Sequence, residues 1–447
     1  MHPDARSKYE SLRLPRYTSY PTALDFSPSV DASTYDGWLR ALPAGVDGSL
    51  YLHVPFCAEL CLYCGCHTSV ARRYEPVASY CDLLEKEIAA IAERAGQALI
   101  VRRAHWGGGS PTVLKPDDFH RLMAALRRGF TFADDAEIAI EIDPRTMTEP
   151  LAYALGREQL TRASLGVQTF DPLVQQTIRR VQSYEDTARV VEWLRAAGVG
   201  GINVDLMYGL PHQTAANVVA STQRTLTLDP DRISLFGYAH VPWMKRHQAL
   251  LPERALPGQA ERLRQFDEAA ALIASAGYRR IGFDHFAKPT DSLAQADAGL
   301  RRNFQGYTTD NAPALIGLGA SAISSLPQGY AQNAASVAQY RRAIEGGGLP
   351  TARGVALTAE DRIRRDVISE IMCRLTVDLN EICRAHGAGL DMFADDVARL
   401  KPLQEDGVAQ IEGTRVTVPE DARHLVRAVG AIFDSRLSRP DRHSSVA

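Results

Sequence analysis

The chain has 447 residues, 45% of them hydrophobic and 23% charged, with a formal net charge of −3. These are the proportions of an ordinary globular protein, and the near-balanced charge points neither to nucleic acid nor to an acidic membrane surface. The first residues lack the apolar stretch of a signal peptide and no run of about 18 apolar residues occurs, so a cytoplasmic protein without a membrane segment is expected.

Residues 1–45 read as a polar N-terminal arm. Within it, Arg16-Tyr-Thr-Ser-Tyr-Pro-Thr22 favours extended structure, and Pro21 disfavours helix at Tyr20. An apolar run then leads into Cys57, Cys61 and Cys64, spaced C-x3-C-x2-C, with Cys66 two residues on. Four of the seven cysteines thus fall within ten positions. A closed zinc site generally joins two separated pairs of ligands, and no second pair follows. Three thiolates on one loop suit an iron–sulfur cube whose fourth iron stays open. A structural zinc site and a disulfide are the weaker readings.

Six β-like runs follow one another, at Ser49–Val54, Ile100–Trp106, Glu137–Ile142, Ala163–Val167, Ile202–Met207 and Ile233–Tyr238. Helical patterns such as Tyr80–Arg94 and Tyr184–Ala197 lie between them. That alternation predicts an α/β domain with a parallel sheet, over residues 46–343 with an extension. In barrels of this kind chemistry gathers at the C-terminal ends of the strands. There stand Gly107-Gly108-Gly109-Ser110, Glu141 before Asp143 and Arg145, Gln168, Asp205, and Tyr238-Ala239-His240. Consecutive glycines let backbone approach a ligand, and a carboxylate inside an apolar run needs a partner. Arg179-Arg180 is an ordinary solvated pair on this reading. Residues 278–287 read as one further strand. Residues 344–352 read as a linker to a helical C-terminal domain, 344–447, containing an amphipathic helix at Arg362–Leu375 and a hairpin turning at Glu412-Gly413. Cys81, Cys373 and Cys383 are expected to be structural thiols.

The C-x3-C-x2-C loop resembles that of the radical S-adenosylmethionine (SAM) enzymes. The fuller string from His53-x-Pro55-Phe56-Cys57 to Cys64-Gly65-Cys66, with the arm to Ser27 and the strings Arg302–Thr309 and Gly317–Ser324, resembles one branch of them. That branch is the oxygen-independent coproporphyrinogen III dehydrogenases of haem biosynthesis. The resemblance implies an open, partial (β/α)6 barrel, and an arm lying near the substrate entrance. It implies a 4Fe–4S cluster on Cys57, Cys61 and Cys64, and two SAM molecules. Tyr51, Gly108, Glu141 and Ile323 would contact the SAM on the cluster. Tyr63, Gly109, Ser110, Gln168, Arg180, Asp205 and Ala239 would contact the second. Tyr63 and Ser110 depart from the family's commoner Phe and Thr, and Met207 replaces an aliphatic residue beside that second site. Cys66 would lie near the site without ligating the cluster.

The implied reaction is conversion of coproporphyrinogen III to protoporphyrinogen IX. A 5′-deoxyadenosyl radical takes a hydrogen from the β-carbon of a propionate, and loss of carbon dioxide and one electron leaves a vinyl group, on two pyrrole rings. A low-potential electron donor and a monomeric state are expected with it. Because the substrate carries four carboxylates, Arg16 and Arg301 or Arg302 are expected partners on charge complementarity. A haem-binding chaperone of the same family keeps the cluster but usually lacks the extra cysteine and the arm. Another radical SAM enzyme acting on a tetrapyrrole is the remaining alternative.

Overall fold

The computed structural model describes residues 8–9, 12–296 and 299–437. Six parallel strands form its centre: β1 (Val46–Val54), β2 (Leu99–Gly108), β3 (Thr131–Ile142), β4 (Arg162–Gln168), β5 (Gly201–Tyr208) and β6 (Arg232–Gly237). They pair in chain order, each joined to the next through a helix, as parallel neighbours require. The runs read from the sequence coincide with these strands, the last of them overrunning β6 by one residue. The connecting helices include Glu75–Ala95 and Tyr184–Ala196.

The alternation along a strand decides what faces where. In β4, Ala163, Leu165 and Val167 are buried among the core residues beneath the helices, while Ser164, Gly166 and Gln168 turn to the opposite, partly open face. In β5 the same two-residue period buries Ile202, Val204 and Leu206 and turns Asn203, Asp205 and Met207 the other way. β1 is paired on both sides and buried over its last seven residues, so its latter half reads as an apolar run interrupted only by Tyr51 and His53.

The sheet does not end with the six strands. Residues 278–287 form two short strands, β7 (Arg279–Ile281) and β8 (His285–Ala287), antiparallel to one another. Gly282, at φ +54°, turns the chain between them, and β8 pairs antiparallel with β6. The single strand expected there is therefore a hairpin. On the other side β9 (Ala314–Leu318) runs parallel to β1. It is followed antiparallel by β10 (Ile323–Leu326), β11 (Gly329–Asn333) and β12 (Thr351–Ala356). The stretch 344–352 is thus a helix end, a glycine turn and the start of an edge strand rather than a free linker. The glycine- and alanine-rich string 317–324 spans two sheet strands, and among the described residues no helix is long and apolar enough to cross a membrane.

Before the barrel, the arm leads into a helix, Ala32–Arg40, which the reading of residues 1–45 as a polar arm does not include. Asp31 caps it by accepting from Thr34 N, and Tyr35 and Leu39, four apart, bury one face in the main core. After the barrel, the helix Ala359–Arg374 and the strands Gln410–Glu412 and Arg415–Thr417 enclose a second core, into which Tyr17 and Tyr20 of the arm are packed.

Behind β1 a fully buried carboxyl joins three elements. Glu87 accepts from Gly319 N and from Tyr340 OH at 2.6 Å each, and from Asn333 Nδ2 at 2.6 Å. Burial outweighs these donors and pushes its pKa up to about 7. A carboxyl raised from about 4.5 favours the fold fully below its unfolded pKa, and that contribution is lost as pH rises through about 7. The loss is about 3 kcal/mol. Glu87→Gln is expected to flatten the fall in denaturation midpoint between pH 5 and 7, while costing about 1–3 kcal/mol because its amide sets a donor against donors. Denaturation of both proteins across that range checks it; an unchanged slope contradicts it.

Candidate active site

The loop after β1 is held in shape before any ligand is considered. Phe56–Cys57 pairs with Ser69–Val70 as a two-residue ribbon, so the intervening residues must arch. Leu62 N donates to Ile178 O at 2.9 Å, tying the arch to the segment after β4. From the far side, Lys245 Nζ reaches Cys66 O at 2.9 Å, His247 Nε2 meets Cys64 O at 2.8 Å and Gln248 Nε2 donates to Tyr63 O at 2.9 Å. These three clamping residues carry no sequence signal, because they lie far along the chain and bond here only to backbone.

Each thiol has its own environment. Cys57 Sγ is 3.0 Å from Thr68 Oγ1, and burial pushes its thiol up to about 11, with the neighbouring Cys64 and Cys61 adding to the rise. Cys61 Sγ accepts from Arg145 Nη2 at 3.4 Å and Arg180 Nη1 at 3.5 Å. Cys64 accepts from Cys66, which draws its thiol below the ordinary range. Cys66 itself is exposed, while Cys81, Cys373 and Cys383 are buried in the apolar cores.

Arg180 is not a solvated residue. It is 6% exposed, pairs with Asp143 at 3.3 Å and bonds Gly166 O, while its Nε has no hydrogen-bond partner. The helix Pro172–Thr177 ends just before it and Arg179 takes a positive φ of 53°, which turns Arg180 inward while leaving Arg179 outside. Burial would raise the Asp143 carboxyl, but Arg180 and Arg145 hold it below the usual carboxylate range. Gln168, at φ 67°, sits beside Arg180 across Gly166.

The glycine turn docks onto the cysteine loop. Gly109 N donates to Val54 O at 2.8 Å and Ser110 N to Phe56 O at 2.7 Å. Gly108 takes φ +112° and donates its N–H to Glu141 Oε2 at 3.1 Å; Glu141 also meets His105 Nε2 at 3.3 Å. A side chain on Gly109 would lie 2.6 Å from Phe56 O, so the turn fits only as glycine. Ser110 is buried and its hydroxyl is engaged by Thr112 Oγ1 at 2.9 Å. Tyr51 OH donates to His53 Nδ1 at 3.0 Å, since His53 Nε2 faces His67 O at 2.9 Å and must carry the proton. Tyr51 pairs across the sheet with Gly317, and Ile323 backbone lies directly over Gly317.

Asp205 projects beside Gly166, its pairing partner on β4. Burial raises its pKa, opposed by Asn203 at 2.8 Å and Ser164 at 3.0 Å. Tyr63 packs with Met207 against the cluster of Leu210 and Tyr238, and Ala239 follows Tyr238 at the mouth of β6. The residues nominated from the sequence therefore gather at one end of the strands, in two groups around the cysteine loop: Tyr51, Gly108, Glu141 and Ile323 toward β9, and Tyr63, Gln168, Arg180, Asp205 and Ala239 toward β6. Gly109 and Ser110 stand at the loop itself.

A model of the radical SAM superfamily matches residues 51–224. An oxygen-independent coproporphyrinogen III oxidase of Bradyrhizobium diazoefficiens is 52% identical over 439 residues, covering 98% of each chain. The chain belongs to the oxygen-independent coproporphyrinogen III oxidases. A second such oxidase, from Paracoccus denitrificans, is 44% identical over 97% of this chain and 96% of its own. The structure of coproporphyrinogen III oxidase from Escherichia coli, described as a radical SAM enzyme, superposes with a TM-score of 0.90 at 38% identity, over 96% of this chain and all of that one.

As a radical SAM enzyme, this oxidase uses a 4Fe–4S cluster and SAM. Among the described residues no three His, Cys, Asp or Glu side chains close around a single ion-sized point. The fit rests instead on donor chemistry and space. Three thiols share one loop, glycines stand where any side chain would collide, and a buried guanidinium Nε lacks a partner.

Proposed function

We propose that this chain catalyses the oxygen-independent oxidative decarboxylation of two propionates of coproporphyrinogen III to vinyl groups, giving protoporphyrinogen IX. The observation that carries the reading is the docking of the glycine turn on the cysteine loop, at the open end of six parallel strands, in a chain similar along its whole length to oxidases of that name. When bound, the reduced cluster and SAM supply a hydrogen-abstracting radical.

The chain's own residues position these groups. Cys57, Cys61 and Cys64 hold the cluster, and Arg145 and Arg180 offset the negative charge at Cys61. Gly108, Glu141 and Tyr51 hold one SAM beside it, with Ile323 backing Gly317. Arg180, Gln168, Asp205, Tyr63 and Ala239, with the backbone of Gly109 and Ser110, hold a second. The unpartnered Arg180 Nε supports a carboxylate there, and Asp205, whose pKa burial raises, suits a neutral or cationic group. Cys66, exposed two residues from the last ligand, lies near the site. The reading includes a low-potential one-electron donor, a monomeric chain and a cytoplasmic setting.

Carboxyl-labelled coproporphyrinogen III tests it. Reconstituted enzyme is expected to release half of the label as carbon dioxide without oxygen, only when SAM and a reductant are both present. Release without SAM, or retention of all label by cluster-loaded enzyme, contradicts the proposal.

A further inference from the structure

The arginines nominated by charge do not all stand free. Arg302 is buried and committed to Asp284, with both terminal nitrogens at 3.3 Å from its carboxylate. Arg301 faces Glu370 at 3.7 Å. Arg16 is different: it is exposed, and its Nη2 donates to Gly237 O, the last residue of β6, at 2.9 Å. A further arginine reaches the same point from the helix Gln259–Ser275. Arg262 donates to Tyr238 O at 2.9 Å and to Gly209 O at 3.4 Å, and its guanidinium lies 5.5 Å from the Tyr208 ring centroid. Among the described residues neither Arg16 nor Arg262 forms an ion pair.

Arg427, from the C-terminal domain, supports this arrangement. It is buried and donates to Pro15 O and Leu14 O, holding the backbone that carries Arg16. Burial pushes its pKa down to about 9, and Arg16 and Arg302 add to the fall by repulsion. Arg16 and Arg262 thus converge at the mouth of β5 and β6, beside Arg302, whose partner Asp284 is also held by His285. Like charges gathered this way cost free energy that a bound polyanion would recover. On the arm side, Trp243 and Met244 expose 53% and 54% of their surface, and Arg13 lies 5.2 Å over the Trp243 ring. Exposed apolar surface at this end of the arm suits the ring of a tetrapyrrole fringed with carboxylates.

We propose that Arg16 and Arg262 form the subsite that holds the non-reacting propionate carboxylates of the tetrapyrrole. Arg427 is a positioning residue that sets the arm so that Arg16 reaches the mouth of β6. This rests on the proposed function and adds which groups orient the substrate.

The test is anaerobic binding of coproporphyrin III, the fluorescent oxidised form with the same four propionates, to reconstituted enzyme, alongside its uncharged tetramethyl ester. Arg16→Ala and Arg262→Ala are each expected to weaken binding of the acid by about ten- to a hundredfold, as for lost hydrogen bonds to a charged group, without changing binding of the ester. Arg262→Lys, which keeps the charge, is expected to recover part of the loss and covers the case in which Arg262→Ala folds poorly. Arg189→Ala, at an exposed helix position, is expected to bind the acid like the wild type. Wild-type affinity of both alanine variants for the acid overturns the inference, as does an equal loss for acid and ester. Failure of the wild type to bind the acid more tightly than the ester also overturns the inference, whereas absence of decarboxylation of coproporphyrinogen III by cluster-loaded enzyme overturns instead the proposed function on which it rests.

Discussion

Cys64→Ser is expected to abolish turnover while leaving a folded chain. The fold around residue 64 is held by backbone: Cys64 N donates to Cys61 O at 3.2 Å and Cys64 O meets His247 Nε2. A serine keeps both bonds. What it loses is the thiol that the Cys66 hydrogen bond draws down, and a hydroxyl is a far poorer ligand for iron in a sulfide cluster. Iron and acid-labile sulfide should fall to a small fraction of the wild-type content, the visible cluster absorbance should vanish, and product formation should drop to background. Cys383→Ala provides the contrast. Its sulfur lies in the C-terminal core, so the variant should melt a few degrees earlier yet retain iron and turnover. A Cys64→Ser enzyme with full iron content would remove Cys64 from the ligand set.

Gly108→Ala is expected to damage SAM binding severely. At φ +112° any side chain is strained, and a Cβ there would lie 2.7 Å from His53 Cε1 and Nδ1. The His53 ring cannot swing away, because Tyr51 OH and His67 O hold both of its nitrogens. The turn must therefore shift, taking with it the Gly108 N–H on Glu141 and the Gly109 N–H on Val54. Strain of this kind costs about 1–3 kcal/mol, which corresponds to roughly fivefold to 150-fold in affinity. Equilibrium binding of SAM to the reconstituted variant reads this directly. Gly200→Ala, where a Cβ would meet nothing within 4 Å, should bind SAM as the wild type does. An unaltered affinity in Gly108→Ala would mean that the turn does not cradle SAM.

The central strands are legible in the sequence because their pattern is local. Buried residues such as Leu50 and Leu52 in β1 and Val204 and Leu206 in β5 recur in short runs separated by helix-length intervals. The cysteine loop is legible for the same reason, since its three thiols lie within eight residues of one another. What escapes is non-local. The clamp of Lys245, His247 and Gln248 bonds to carbonyls of a loop far away in the chain, and carbonyls are identical for every residue type. Arg180 reads as half of a surface pair, and only the positive φ of Arg179 reveals that it turns inward. Charge complementarity picks out Arg16, which does stand at the mouth of β6. It also picks out Arg302, whose partner Asp284 removes it, and passes over Arg262, which becomes visible only once its helix is laid against Tyr208 and Gly209. The hairpin at 278–287 reads as one strand because Gly282 turns the chain within a short, strand-like stretch.

The most direct test of the central claim is anaerobic turnover of the reconstituted chain with SAM, a low-potential reductant and coproporphyrinogen III, with products followed by mass. Protoporphyrinogen IX formed together with 5′-deoxyadenosine is the expected result. 5′-Deoxyadenosine without a decarboxylated tetrapyrrole, from enzyme with an intact cluster, would contradict the substrate assignment and move the chemistry to another substrate.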